Sequence, residues 1–223
     1  MLIPFLLMSC MGAKNAYSDR SASFQWTSAS KRLLLAEPDV EVSEYSAGGI
    51  QTVRADWTLT VSTALNEGLQ DFFARKDTQL VRQETLANPR EIQLVKLQGA
   101  IGAAIARHTY SNDLKLPNKE NALDWTLGPG SRLLREKYNA DYALFVFVRD
   151  GYSSADRVAL VIGAALLGVG VPGAPQQIGF ASLVDLRNGR VVWFNRLLNA
   201  AGDLRTSVPA KRVVDALVKG IPL

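Results

Sequence analysis

Residues 142–148 read YALFVFV, seven apolar positions in succession. Side chains of an extended chain alternate between the two faces of a sheet, so this segment presents hydrocarbon on both. Such a strand belongs in the middle of a sheet. The other elements have to be arranged around it. Leu33-Leu34-Leu35 is a short apolar run stopped by Pro38, and Val40 to Tyr45 alternates apolar and polar as a half-buried strand does. Gly48-Gly49 is a turn. Trp57, Val61, Ala64, Leu65, Gly68, Leu69 and Phe72 then recur at helical spacing, with Asn66, Glu67, Gln70 and Asp71 between them. Thr78 to Arg82 suits another strand.

Pro89 suits the first turn of a second helix, with Leu94, Leu97, Ile101, Ala104 and Ile105 as its apolar face. Gly99, Gly102, Ala103 and Ala106 add small residues that let a neighbour come close. After a long loop, Ser131 is placed to cap a short helix ending near Asn139. Gly179–Leu186 and Val191–Asn195 read as two strands joined by Arg187-Asn188-Gly189-Arg190, where Asn-Gly favours a type I′ turn. Ser207 and Pro209 open a last helix that points Val213, Val214, Leu217 and Val218 inward. The resulting order is β-α-β-α-α-β-apolar segment-β-β-α. It predicts an α+β fold: a single domain over residues 31–223, with a mixed β-sheet and helices packed mainly on one face.

The 223 residues are 48% hydrophobic and 21% charged, enough to bury a core. The net charge of +4 comes from scattered Lys and Arg; Lys31-Arg32 and Lys211-Arg212 are isolated pairs. No basic stripe is interleaved with aromatics, so nucleic acid is not an expected partner. The sequence has a single cysteine, Cys10, so neither an intrachain disulfide nor a zinc-type cysteine cluster is available.

The position of that cysteine is informative. The chain opens MLIPFLLMSCMG, an apolar run ending in Leu7-Met8-Ser9-Cys10. This resembles the lipobox of bacterial lipoproteins, in which the cysteine thiol carries diacylglycerol (its new amino end is then acylated, as with palmitate) after the preceding signal is removed. The resemblance implies a signal peptide over residues 1–9, lipidation at Cys10, and a lipid-anchored tether over residues 10–30. It also implies a membrane partner through the acyl chains. Residues 1–9 carry neither Lys nor Arg, where an export signal begins with positive charge; a true start upstream of Met1 is the expected reason. Met11, rather than Asp, follows the cysteine. By the sorting habit of enteric lipoproteins, that implies the outer membrane, facing the periplasm.

Few residues suggest chemistry. The lone His108 falls near a helix end, where a favourable charge at the C-terminus is the simpler role. Gly128-Pro129-Gly130-Ser131 lacks the lysine of a phosphate-binding loop. Asp141, Asp150, Asp185 and Asp203 have no spacing that points to metal ligands or paired acids. No catalytic residue, metal site or cofactor is expected, and the chain reads as non-enzymatic. A hydrolase with an unrecognised site and a subunit of an outer-membrane secretion channel are the alternatives.

Several segments together carry a broader resemblance. They are Lys31-Arg32-Leu33-Leu34-Leu35 with Pro38-Asp39-Val40, Tyr138-Asn139-Ala140-Asp141-Tyr142, and Asp185-Leu186-Arg187-Asn188-Gly189-Arg190-Val191-Val192-Trp193. The arrangement resembles the α/β domain of bacterial envelope lipoproteins, a group that includes curli-type secretion lipoproteins and activator lipoproteins of penicillin-binding proteins. It implies a binding or scaffolding role in envelope assembly or regulation, with an unidentified envelope protein as partner.

The stretch Val158 to Pro175, VALVIGAALLGVGVPGAP, carries no charge. As a helix, Val158 to Val171 is about 21 Å long, short of the roughly 30 Å bilayer core. It lacks the alternation of a membrane β-hairpin. Ala164 and Gly168 form a small-xxx-small pair that admits a second backbone. A helix apolar all round needs cover: its own domain, another copy or partner, or shallow membrane contact. Leu160, Ala164, Leu166, Leu167 and Gly168 are the candidate interaction surface, and a homo-oligomer is one expected use of it.

Overall fold

In a computed structural model, the described residues are 16–21, 24, 32–76, 78–84, 88–110, 114–119, 122–198, 202–205 and 207–223. Cys10 and the signal-like run lie outside them. Among the described residues, eight strands form one mixed sheet and five helices pack around it. The strands are β1 (Ala16–Arg20), β2 (Arg32–Leu35), β3 (Asp39–Tyr45), β4 (Gln51–Val53), β5 (Gln79–Arg82), β6 (Tyr142–Ser153), β7 (Ile178–Asp185) and β8 (Val191–Leu198). The helices are α1 (Ala55–Ala74), α2 (Pro89–His108), α3 (Arg132–Tyr138), α4 (Ala155–Leu166) and α5 (Ser207–Leu217).

YALFVFV opens β6, the axis of the sheet. On one side β6 pairs antiparallel with β7 over its first eight residues. On the other it pairs parallel first with β2 and then with β3. β2 and β3 therefore share one flank of β6 end to end, with the break between them at Pro38, which has no N–H to give to a ladder. The sheet runs β1-β8-β7-β6-β2-β5, with β4 beyond β3. Residues Asp150–Ser153 outrun β7 and continue with β3 and β4 alone. They form a narrow arm that leads into α4.

The two faces of β6 account for the helix layers. Tyr142, Leu144, Val146 and Val148 face a core with Val61, Leu65, Leu69 and Phe73 of α1 and Val213, Val214 and Leu217 of α5. Ala143 and Phe145 face a second core with Leu94, Val95 and Ile105 of α2 and Leu134 and Tyr138 of α3. The α+β class and single mixed sheet match the sequence expectation. The helices are shared between both faces rather than lying mainly on one, because a strand apolar on both sides needs hydrocarbon on both.

Other differences have local causes. β1 lies inside the stretch read as a tether. It pairs antiparallel with β8, from Ala16↔Leu197 to Arg20↔Trp193, and Phe24 beyond it is buried against Tyr142. AYSDR has no apolar alternation, so its backbone pairing leaves no trace in hydropathy. In α2, Leu97 is exposed while Gly99 and Gly102 are buried. A Cβ on Gly102 would collide with the Phe180 ring, so the glycines set the packing face. Ser131 precedes α3 without capping it; its hydroxyl donates to the carbonyls of Gly128 and Leu186. In the β7–β8 loop only Gly189 has positive φ, so the turn is not type I′. The Gly189 N–H donates to the Asp185 carbonyl at 2.8 Å.

Candidate functional site: an exposed apolar helix on a braced arm

The apolar stretch singled out in the sequence folds into α4 and the turn after it. Ser154 caps the helix, its hydroxyl accepting from the Arg157 N–H at 3.2 Å. The cap itself is held by the sheet, since the Ser154 N–H donates to the Tyr45 carbonyl at 2.9 Å. At the far end the Val169 N–H donates to the Ala164 carbonyl and the Gly168 N–H to the Ala165 carbonyl. Gly168, at φ 72°, supplies the left-handed turn of this Schellman closure.

Between these ends the helix is uncovered. From Val158 to Gly170 every residue is exposed except the half-buried Ala164. Leu166 and Leu167 expose 83% and 81% of their surface, and Ile162 and Val169 58% each. Leu160 is likewise exposed. Burial within its own domain, one of the expected fates of this segment, is therefore overturned. The sheet arm is too narrow to cover the helix, and Arg157 is its buried residue.

Arg157 ties the base together. Its guanidinium donates to the carbonyls of Pro172 at 2.7 Å and Gly173 at 2.8 Å, and to that of Ser46 at 3.3 Å. The outgoing helix, the returning loop and the β3–β4 turn thus share one cation. A second brace lies on the arm. The Tyr152 hydroxyl donates to Asp150 at 2.5 Å and accepts from the Leu204 N–H at 2.7 Å. Gln177 also donates to Asp150. The Arg205 guanidinium lies over both Tyr152 and Trp57, whose rings meet edge to face. Burial raises the Asp150 carboxyl above its ordinary range, outweighing hydrogen bonds from Tyr152, Gln177 and the Gly151 N–H. Burial and then the Asp150 hydrogen bond raise the Tyr152 phenol.

The other sequence candidates stay apart. Asp141 and Asp185 lie near the start of β6, where the Leu186 N–H donates to the Asp141 carbonyl, while Asp185 pairs with Arg187 at 2.6 Å and Asp141 with Arg135 at 3.6 Å. Asp150 and Asp203 lie toward its other end, about 26 Å away at strand rise. The His108 ring contacts the Leu114 carbonyl at 2.6 Å. No group of three His, Cys, Asp or Glu among the described residues is placed to hold a metal ion. A groove of about 550 Å³ between α2, α3 and the preceding loop is lined by Leu94, Leu97, Leu127, Pro129 and Leu133, with Arg90 and Glu136 among its polar residues.

Sequence reasoning missed the anchors. Arg157 reads as an ordinary surface cation of a first helical turn. Its partners are backbone carbonyls 15, 16 and 111 residues away, which no local pattern reveals.

No family model and no curated protein matches the sequence. Among solved structures, the chain is similar to a PelC dodecamer subunit from Paraburkholderia phytofirmans, with 12% identity, 91% of this chain and 97% of that one covered, and a TM-score of 0.38. It is also similar to the LpoB C-terminal domain from Salmonella enterica, at 12% identity over 80% and 86% of the two chains and a TM-score of 0.29. A third similarity is to lipoprotein GNA1162 from Neisseria meningitidis, at 13% identity over 86% and 99% and a TM-score of 0.32.

Proposed function

We propose that this chain is a lipid-anchored envelope protein of the outer membrane, facing the periplasm, which acts by docking and scaffolding rather than by catalysis. One observation carries the reading: beyond the two charged residues of its first turn, α4 is apolar and exposed from Val158 onward, while its base is held by the buried Arg157. Exposed apolar surface of this extent marks a place where another body is received. Sequence supplies the anchor. Leu7-Met8-Ser9-Cys10 resembles a lipobox, and two or more acyl chains hold a protein stably at a membrane. The candidate surface is Leu160, Ala164, Leu166, Leu167 and Gly168. An envelope protein, a second copy of this chain and the membrane itself are the bodies that could cover it.

Two measurements test the reading. A fatty-acid probe fed to a bacterial host should label the wild-type chain and not Cys10→Ser; equal labelling of both refutes the anchor. In the lipidated chain Cys10 is blocked, so a cysteine introduced as Leu167→Cys is the reactive thiol. In isolated envelopes it should react with a bulky maleimide at least ten-fold more slowly than Glu67→Cys, which sits on the exposed side of α1. Equal rates at the two positions would show that α4 receives nothing.

A further inference from the structure

We infer that α4 and its turn form a finger that inserts into one leaflet of a lipid bilayer. The inference rests on the reading that α4 docks on another body, and it names that body as lipid. Two observations favour lipid over a protein, and a third is compatible with it. First, the exposure is all round. A partner protein covers one face of a helix, leaving polar residues on the other. Here Val158, Leu160, Val161, Ile162, Leu166 and Leu167 spread apolar surface over every side, and no polar stripe remains. A lipid phase covers all sides at once.

Second, the length fits a leaflet. Val158 to Leu167 rises about 15 Å, half of the roughly 30 Å hydrocarbon core. No helix among the described residues is long and apolar enough to cross a membrane. The finger is long enough to enter and too short to span. Charge is confined to its base: Asp156 and Arg157 open the helix, and no charged residue follows until Asp185.

Third, the tip is closed on itself. Backbone groups in hydrocarbon have to be satisfied within the protein. The Schellman closure draws the N–H groups of Leu167, Gly168 and Val169 back onto the carbonyls of Ala164 and Ala165. The most exposed side chains, Leu166 and Leu167, flank this closure. The braces on Arg157 and Tyr152 lie at the base, where they hold the finger's direction without occupying its apolar surface.

The test uses the full chain carrying Cys10→Ser, which has no acyl anchor and no other cysteine. An environment-sensitive nitrobenzoxadiazole dye is placed at Leu167→Cys or, as the comparison, at Glu67→Cys. Each protein is mixed with vesicles of phosphatidylethanolamine and phosphatidylglycerol, with or without spin labels along the acyl chains. The apolar residues before Cys10 are common to both proteins, so their effect cancels. Dye at position 167 should shift to the blue and be quenched at least two-fold more strongly by acyl-chain spin labels than dye at position 67. Adding Leu166→Asp should remove the shift and lower vesicle partitioning at least ten-fold. Leu166 is exposed, so the variant folds, and an unchanged melting temperature verifies this. Equal signals at both positions, or none at either, would overturn the proposal. So would a blue shift without vesicles together with doubled mass in light scattering, which assigns the finger to a second copy. Protection of Leu167→Cys in envelopes without quenching in vesicles would overturn lipid as the occupant and leave the docking role standing.

Discussion

The guanidinium of Arg157 donates to the Pro172 carbonyl at 2.7 Å, closing the base of the apolar finger across fifteen residues of uncharged chain. Side chain and carbonyl belong to the two ends of one excursion from the sheet. The contact therefore decides whether that excursion has a fixed direction. Arg157→Leu removes three hydrogen bonds made by a buried charged donor to carbonyls that water can reach in its absence. The expected cost is about 1.5–3 kcal/mol. Because α4 packs little on the core, the loss should fall mainly on the finger. Hydrogen exchange of amides Leu160 to Gly168 should quicken at least ten-fold, with a smaller change in α1 amides. Equal quickening in both helices would refute a local anchor.

Leu166→Asp and Leu167→Asp should leave the melting temperature of the unanchored chain within the range of ordinary surface substitutions, about ±0.5 kcal/mol. Leu65→Ala, at a fully buried position of α1, should cost about 2–5 kcal/mol. Thermal melts of the three variants check the contrast. A large destabilisation by either aspartate would return the finger to the core.

Glycines of the two helices should respond in opposite ways. Gly102→Ala pushes a Cβ into the Phe180 ring, an overpacking expected to cost about 1–3 kcal/mol. Gly163 lies inside α4, and a Cβ there meets nothing within 4 Å. Gly163→Ala should therefore firm the helix by about 0.5–1 kcal/mol. Denaturant melts report the first change and amide exchange within α4 the second. Matching signs would refute the packing account.

Two buried acids give opposite pH slopes. Burial alone would raise the Glu91 carboxyl, but hydrogen bonds from Lys137 at 2.7 Å, Gln83 and Tyr138 outweigh it and hold the group below its ordinary value. A depressed acid contributes stability above its unfolded pKa and loses it as pH falls through the folded one. Glu91→Gln should cost about 3 kcal/mol at neutral pH, and the cost should shrink as acid protonates the wild type. Asp150 is raised by burial, so its contribution is present below the unfolded pKa and lost as pH rises through the folded one. Asp150→Asn should flatten that fall as pH rises above the ordinary aspartate value. Urea melts run from acid below the ordinary carboxylate range up to neutrality measure both, and slopes of the same sign would contradict the assignments.

The sequence by itself determined the elements whose signal is local. YALFVFV required a central strand because both of its faces are apolar. Val61, Leu65 and Leu69 marked the buried stripe of α1 by their spacing, and Val213, Val214, Leu217 and Val218 turned inward as their pattern predicts. The uncharged run after Arg157 was legible as a helix in need of cover. What covers what was settled only in three dimensions. β1 pairs through its backbone, so AYSDR gave no hydropathic sign of joining the sheet. Gly99 and Gly102 pack where Leu97 does not, because the Phe180 and Phe147 rings fill the space that larger side chains would need. The candidate site divides in the same way. The apolar content of α4 is written in its residues, whereas its exposure follows from β6 outrunning β7, and its direction from Arg157 reaching carbonyls far along the chain. Hydropathy is a property of residues, but exposure depends on which neighbours the fold leaves absent.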